Sequence, residues 1–212
     1  MPDPQVWPAM ANLHDEVVEP YGYFTDILTA ENGDEQRVQL RRHPRHGYEF
    51  SYLCPELTEG QHVSSVLYAN RVKPWIVPLW CHARVLAESV GAGGIVVTVD
   101  TVNAPFRDPL GLGLYAVLWS GARSYEAVRI DTVGPTQLTL LAGTVQSWGQ
   151  GAKVIPARVG YLVDEAVEQD WETGALVGGR VRFTFNAVDE SLVAAPEAEG
   201  EIVFGALDEP PL

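Results

Sequence analysis

Apolar and polar positions alternate with a period of two along much of this chain, and that pattern predicts strands. Tyr48, Phe50 and Tyr52 alternate with Glu49 and Ser51, so the three rings share one sheet face. Val181, Phe183 and Phe185 alternate with Arg182 and Thr184 in the same way. Thr25 to Thr29 has the β-branched content of a short strand. Glu31-Asn32-Gly33-Asp34 then carries the Asn-Gly pair that closes hairpins. The chain returns through Val38 and Leu40 toward Tyr48 to Tyr52. Further strands are predicted at Ile95 to Val99, Leu114 to Trp119, Tyr125 to Thr132, Gln137 to Leu141, Val154 to Leu162 and Gly179 to Val188. Gly- and Pro-rich turns separate the later ones, at Ser120-Gly121, Gly134-Pro135 and Gly149-Gln150-Gly151. Pro74 and Pro78 bracket the apolar run WIVP and exclude a central, fully hydrogen-bonded strand there, leaving an edge strand or an extended crossing. Residues 103–113 read as a loop.

One segment has helical spacing. In 56–72, Val63, Val66, Leu67 and Asn70 fall on one face, Thr58 is the candidate N-cap, and Pro74 ends the run. The fold class expected is mainly β: an antiparallel sandwich or split barrel, one short helix at about 58–72, and extended terminal arms. Residues 1–22, with Trp7, Pro8, Pro20 and Tyr21, form an arm that lies either on its own domain or across a neighbour. Residues 23–188 form the β domain, divisible into subdomains at 23–100 and 111–188. Residues 189–212 form an acidic tail; from Asn186 onward the chain has seven acids and no base. Both terminal segments are expected to be less ordered in an isolated subunit than in an assembly.

Charge narrows the function. The formal net charge is −14, which disfavours binding to a phosphate backbone. There is no run of about 18 apolar residues, so no membrane-spanning helix is expected. The start of the sequence, MPDPQVWPAM, has neither the basic stretch nor the apolar core of a secretory signal. Against this acidic background stand Arg37, Arg41, Arg42 and Arg45, with no acid between Glu35 and Glu49. Such a block suits a carboxylate-rich neighbour, because the guanidinium pairs with carboxylate in bidentate fashion.

Enzymatic chemistry finds no foothold in the motifs. His14, His43, His46, His62 and His82 show no metal-ligand spacing, and the set Cys54, His62, Cys81 and His82 lacks the paired close spacing of zinc sites. Cys54 and Cys81 read as buried, reduced thiols. No serine lies in a Gly-x-Ser-x-Gly context. Gly91-Ala92-Gly93-Gly94 precedes a strand, the wrong order for a phosphate loop. The six tryptophans read as core or interface anchors, with a sugar-binding platform as the rival. No catalysis, cofactor or metal is expected.

The ordered set from Tyr23 to Tyr52 resembles the amino-terminal signature of distal tail and tail-tip proteins of long-tailed bacteriophages and gene-transfer-agent-like tails. Its elements here are Tyr23-Phe24, the strand Thr25 to Thr29, Gly33, Glu35-Gln36-Arg37, Arg41-Arg42, Arg45 and the aromatic strand Tyr48 to Tyr52. Trp75 to Trp80 and Trp148 to Pro156 are also similar to segments of such proteins. At 212 residues the chain is shorter than many members, which fits either a whole ring protein or a smaller tail adaptor. The resemblance implies a structural virion protein that is assembled in the host cytoplasm. Such a protein forms a ring, commonly a hexamer, around the DNA channel and links the tail tube to the baseplate or fibres. Implied partners are further copies of itself, the tail tube protein and the baseplate hub. Glu35, Arg37, Arg41, Arg42, Arg45 and Trp7 are the candidate assembly contacts. A carbohydrate- or receptor-binding β module on the tail tip is the alternative.

Overall fold

The computed structural model describes residues 4–23, 25–29, 35–39, 45–70, 73–106, 115–163, 167–172 and 176–185. Among these the chain is mainly β. The strands are β1 (Gln5–Val6), β2 (Tyr21–Gly22), β3 (Thr25–Thr29), β4 (Glu35–Gln39), β5 (Arg45–Cys54), β6 (Trp75–Pro78), β7 (Arg84–Val85), β8 (Val96–Thr98), β9 (Tyr115–Gly121), β10 (Ser124–Val133), β11 (Gln137–Leu140), β12 (Lys153–Leu162), β13 (Gln169–Glu172) and β14 (Leu176–Phe185). One helix, α1, spans Leu57–Asn70, and a 3-10 turn covers Trp80–His82. Twelve of the strands join in one large sheet with the path β2-β5-β14-β12-β9-β10-β11-β8, which does not close into a barrel. Its ladders are antiparallel except for β1 on β6. β3 and β4 form a separate two-stranded sheet.

β12 is the spine. β9 pairs with its first half and β14 with its last residues along one edge, while β7 and β6 share the other. Both faces of this region are covered, so β9 carries the uninterrupted buried run Ala116-Val117-Leu118-Trp119. Val117 and Trp119 enter one apolar cluster with Ile155 and Ala157 of β12. Ala116 and Leu118 enter a second with Val154. The first cluster gathers the aromatic face of β5, with Trp7, Trp75 and Phe183. The second is drawn from residues 86–154, so it is nested within the stretches of chain that build the first.

The amino-terminal arm belongs to the chain's own fold. β1 pairs with β6 in register Val6↔Ile76, and the Trp7 amide donates to the Ile76 carbonyl. Single bridges tie Ala11 to Tyr52 and Val18 to Glu49 before β2 pairs with the start of β5. Of the two placements open to this arm, the one on its own domain is the one observed. The acidic segment after Phe185 lies outside the described residues, as does the Asn32-Gly33 turn.

Three local expectations change as well. β6 is not an edge strand, because β1 and β12 flank it and all four residues are buried. Pro74 precedes the strand and Pro78 is its last paired residue, opposite Ala157, after which the Leu79 amide donates to Pro156 O. The helix starts before Thr58, since the Glu59 and Gly60 amides both reach the Glu56 carbonyl. Finally, β13 adds a strand at Gln169–Glu172 that local pattern does not announce.

α1 lies over β14 and β5 at very short range. A methyl group on Gly60 would fall 2.4 Å from Val177 Cγ2, so only glycine permits this approach. Val63 is fully buried on the same face, with Val66 and Leu67 packed beside it, as the helical spacing predicts. A polar chain fixes the contact laterally: Ser64 Oγ donates to Gln169 Oε1, and Gln169 Nε2 donates to Tyr52 OH.

Candidate functional site

Of the six residues singled out as assembly contacts, four stand on described segments. Glu35 and Arg37 stand on β4, in register with Thr29 and Ile27 of β3. Arg45 opens β5 opposite Gly22 of β2. Arg41 and Arg42 lie outside the described residues. Trp7 is placed as a core residue rather than a contact. It is fully buried, with Tyr52 and Phe183 each 5.4 Å away and Trp75 at 5.7 Å, all in edge-to-face packing. Of the two thiols, Cys54 is buried and pushed up to about 11 by that burial, whereas Cys81 is exposed.

A different group of side chains converges. Glu19, Tyr21, His46, His82 and Arg158 line a cavity of about 410 Å³, closed further by Leu79 and by Asn103, Ala104 and Pro105. Five segments supply it. His46 comes from β5, where the alternation that buries Tyr48, Phe50 and Tyr52 extends one step back and turns its ring inward. Arg158 comes from β12 and His82 from the 3-10 turn. Glu19 and Tyr21 come from the end of the arm, held there because β2 pairs Tyr21 with His46. The 100–106 loop closes one side. Asn103 takes a left-handed backbone (φ 57°), which asparagine tolerates, and the Thr101 amide and hydroxyl anchor the loop on Pro135 O.

The hydrogen-bond pattern fixes the chemistry. Arg158 Nη1 lies 2.8 Å from His46 Nδ1, and a guanidinium can only donate. Nδ1 is therefore the acceptor, and the ring hydrogen sits on Nε2. Nε2 faces Glu19 Oε2 at 3.5 Å, a charge–dipole contact longer than a closed hydrogen bond, and has no other partner. The Tyr21 hydroxyl donates to the same Glu19 oxygen at 3.0 Å, while His82 Nε2 lies 3.7 Å from the other. Tyr21 also stacks flat on the His46 ring, with centroids 4.5 Å apart. The His46 contact, opposed by desolvation and helped by Tyr21, holds the Glu19 carboxyl below its ordinary value.

This arrangement argues against a metal centre. A ring nitrogen that carries hydrogen offers no lone pair, so His46 cannot ligate from Nε2 while Arg158 occupies Nδ1. Among the described residues no group of three His, Cys, Asp or Glu side chains is placed to hold a metal ion. What the cavity offers is the Arg158 guanidinium, beside two imidazoles and a tyrosine hydroxyl that already face the Glu19 carboxylate. Sequence reading missed it because its members are spread from residue 19 to residue 158. The one local signal was the period-two step from Tyr48 back to His46.

Comparison of the whole chain with protein-family models and with curated proteins gives no match.

Proposed function

We propose that this chain is a structural protein of a bacteriophage tail, a ring-forming distal tail or tail-tip component around the DNA channel. The observation that carries the reading is the β3–β4 ribbon. It bears the Glu35-Gln36-Arg37 part of the resembled signature, and among the described residues it pairs with no strand of the main sheet. A lone two-stranded ribbon is marginal in water. Its edges, unpaired among the described residues, suit pairing with, or cover by, a neighbouring subunit. The acidic excess fits such a role from two sides. It offers carboxylates to a neighbour's arginine block, and a negative channel wall lets DNA pass without sticking. In a ring each subunit presents one surface forward and a different one back, an arrangement that accommodates an arginine block on one side and acids on the other.

The test is charge reversal. Arg37→Glu combined with Arg41→Glu should block tail assembly while the monomer stays folded by circular dichroism. Truncating one partner of a desolvated ion pair costs about 2–5 kcal/mol. Normal assembly of the double variant would refute the assignment of these residues to the interface.

A further inference from the structure

Among the described residues Arg158 is a cation without an acid, in a chain that has an excess of acids. Arg180 and Arg182 both lie within ion-pair distance of Glu49. Arg158 has no carboxylate at that distance among the described residues. One nitrogen, Nη1, is committed to His46; Nε is enclosed without a partner; and Nη2 has no hydrogen-bond partner among the described residues. Glu19 does not neutralise it. The His46 ring stands between them, and the Glu19 oxygens already face Tyr21, His46 and His82.

We propose that the cavity is a carboxylate-binding site in which the Arg158 guanidinium receives the ligand's carboxylate. The guanidinium has five N–H donors and spends one on His46. Its planar fork matches the two oxygens of a carboxylate. Phe185 lies under it, 6.0 Å from ring centroid to guanidinium carbon, and Leu79 lines the same cavity. These apolar neighbours lower the local dielectric and strengthen attraction for an anion. The Arg158–His46 contact holds the fork in place before any ligand arrives, which lowers the ordering cost of binding. A volume of about 410 Å³ holds more than the carboxylate itself, and His82 and Asn103 stand at the wall for the remainder of the ligand.

Two sources can present this chemistry: a small carboxylate from solution, or an acidic side chain of this protein. The second has a geometric basis. β14 ends at Phe185, whose ring lies 4.8 Å from His46 and under Arg158. The sequence beyond it begins with Asn186 and reaches Asp189 and Glu190 within five residues. The proposal stands independently of the tail reading.

The experiment uses the full chain with isotope-labelled histidine, titrated with sodium acetate and followed by NMR, with sodium chloride at equal ionic strength as control. Acetate is expected to shift the His46 ring signals saturably, and chloride to leave them in place. Arg158→Gln should weaken acetate binding at least tenfold. Arg158→Lys keeps the charge and the aliphatic stem but loses the fork, so it should bind more weakly than the wild type even if the glutamine variant fails to fold. The source is read from Asp189→Asn with Glu190→Gln. Acetate binding several-fold tighter than in the wild type identifies these acids as the resident carboxylate, and equal binding identifies a solution ligand. Acetate acting no differently from chloride in both the wild type and the Asp189→Asn, Glu190→Gln chain, or binding unaltered in the Arg158→Lys chain, would overturn the proposal.

Discussion

Glu19 and Trp7 show how much of this fold hangs on single side chains of the arm. Trp7 fills the centre of the first core, edge-on to Phe50, Tyr52, Trp75 and Phe183. Trp7→Ala should therefore destabilise the isolated monomer by about 3–5 kcal/mol in urea unfolding. An effect under about 1 kcal/mol would mean that the arm does not pack as described. Glu19 gives a pH signature. Its folded pKa lies below the ordinary value of 4.5, through the His46 contact first and the Tyr21 hydroxyl after it. A depressed carboxyl contributes stability above its unfolded pKa, and that contribution disappears as pH falls through the folded value. The stability gap between wild type and Glu19→Gln should accordingly be present at pH 7 and shrink below about pH 4.5. Denaturation midpoints measured across pH 3 to 7 would check this, and a gap that grows toward acid would contradict the assigned sign.

At the scale of elements, the sequence pattern is most legible where one face of a strand meets one core. β5 and β14 alternate cleanly, and α1 shows its buried face at helical spacing. Legibility fails where a segment is covered on both sides. β9 reads as a plain apolar run because its alternate residues enter two different cores, and nothing local says so. β6 looks like an edge because of its prolines, yet a distant segment, β1, completes it. The cavity was invisible for the same reason: its donors meet only when five separated segments pack. Gly60 is a further case, since nothing in a helical pattern distinguishes it from an ordinary helix-weakening glycine. Alanine there should raise helix propensity by up to about 1 kcal/mol, yet the Cβ would overlap Val177, a strain that typically costs about 1–3 kcal/mol. Gly60→Ala is thus expected to lower the melting temperature, and Gly60→Ala with Val177→Ala to recover part of the loss. A stabilised single variant would show that α1 does not sit this close to β14.

At the scale of the whole molecule, one broad open sheet carries two apolar cores. The β3–β4 ribbon forms a separate two-stranded sheet. With no family match to lean on, the tail reading rests on the ordered signature from Tyr23 to Tyr52, on that ribbon and on a net charge of −14. The carbohydrate-binding alternative predicts a protein displayed alone at a surface, whereas the tail reading predicts one locked into a particle. The most direct measurement is electron microscopy of particles released from the source cells, with gold-labelled antibody against this chain. The account predicts gold at one point, the distal end of a tail tube, on particles of uniform shape. Gold scattered over cell envelopes, or protein recovered wholly apart from any particle, would contradict it.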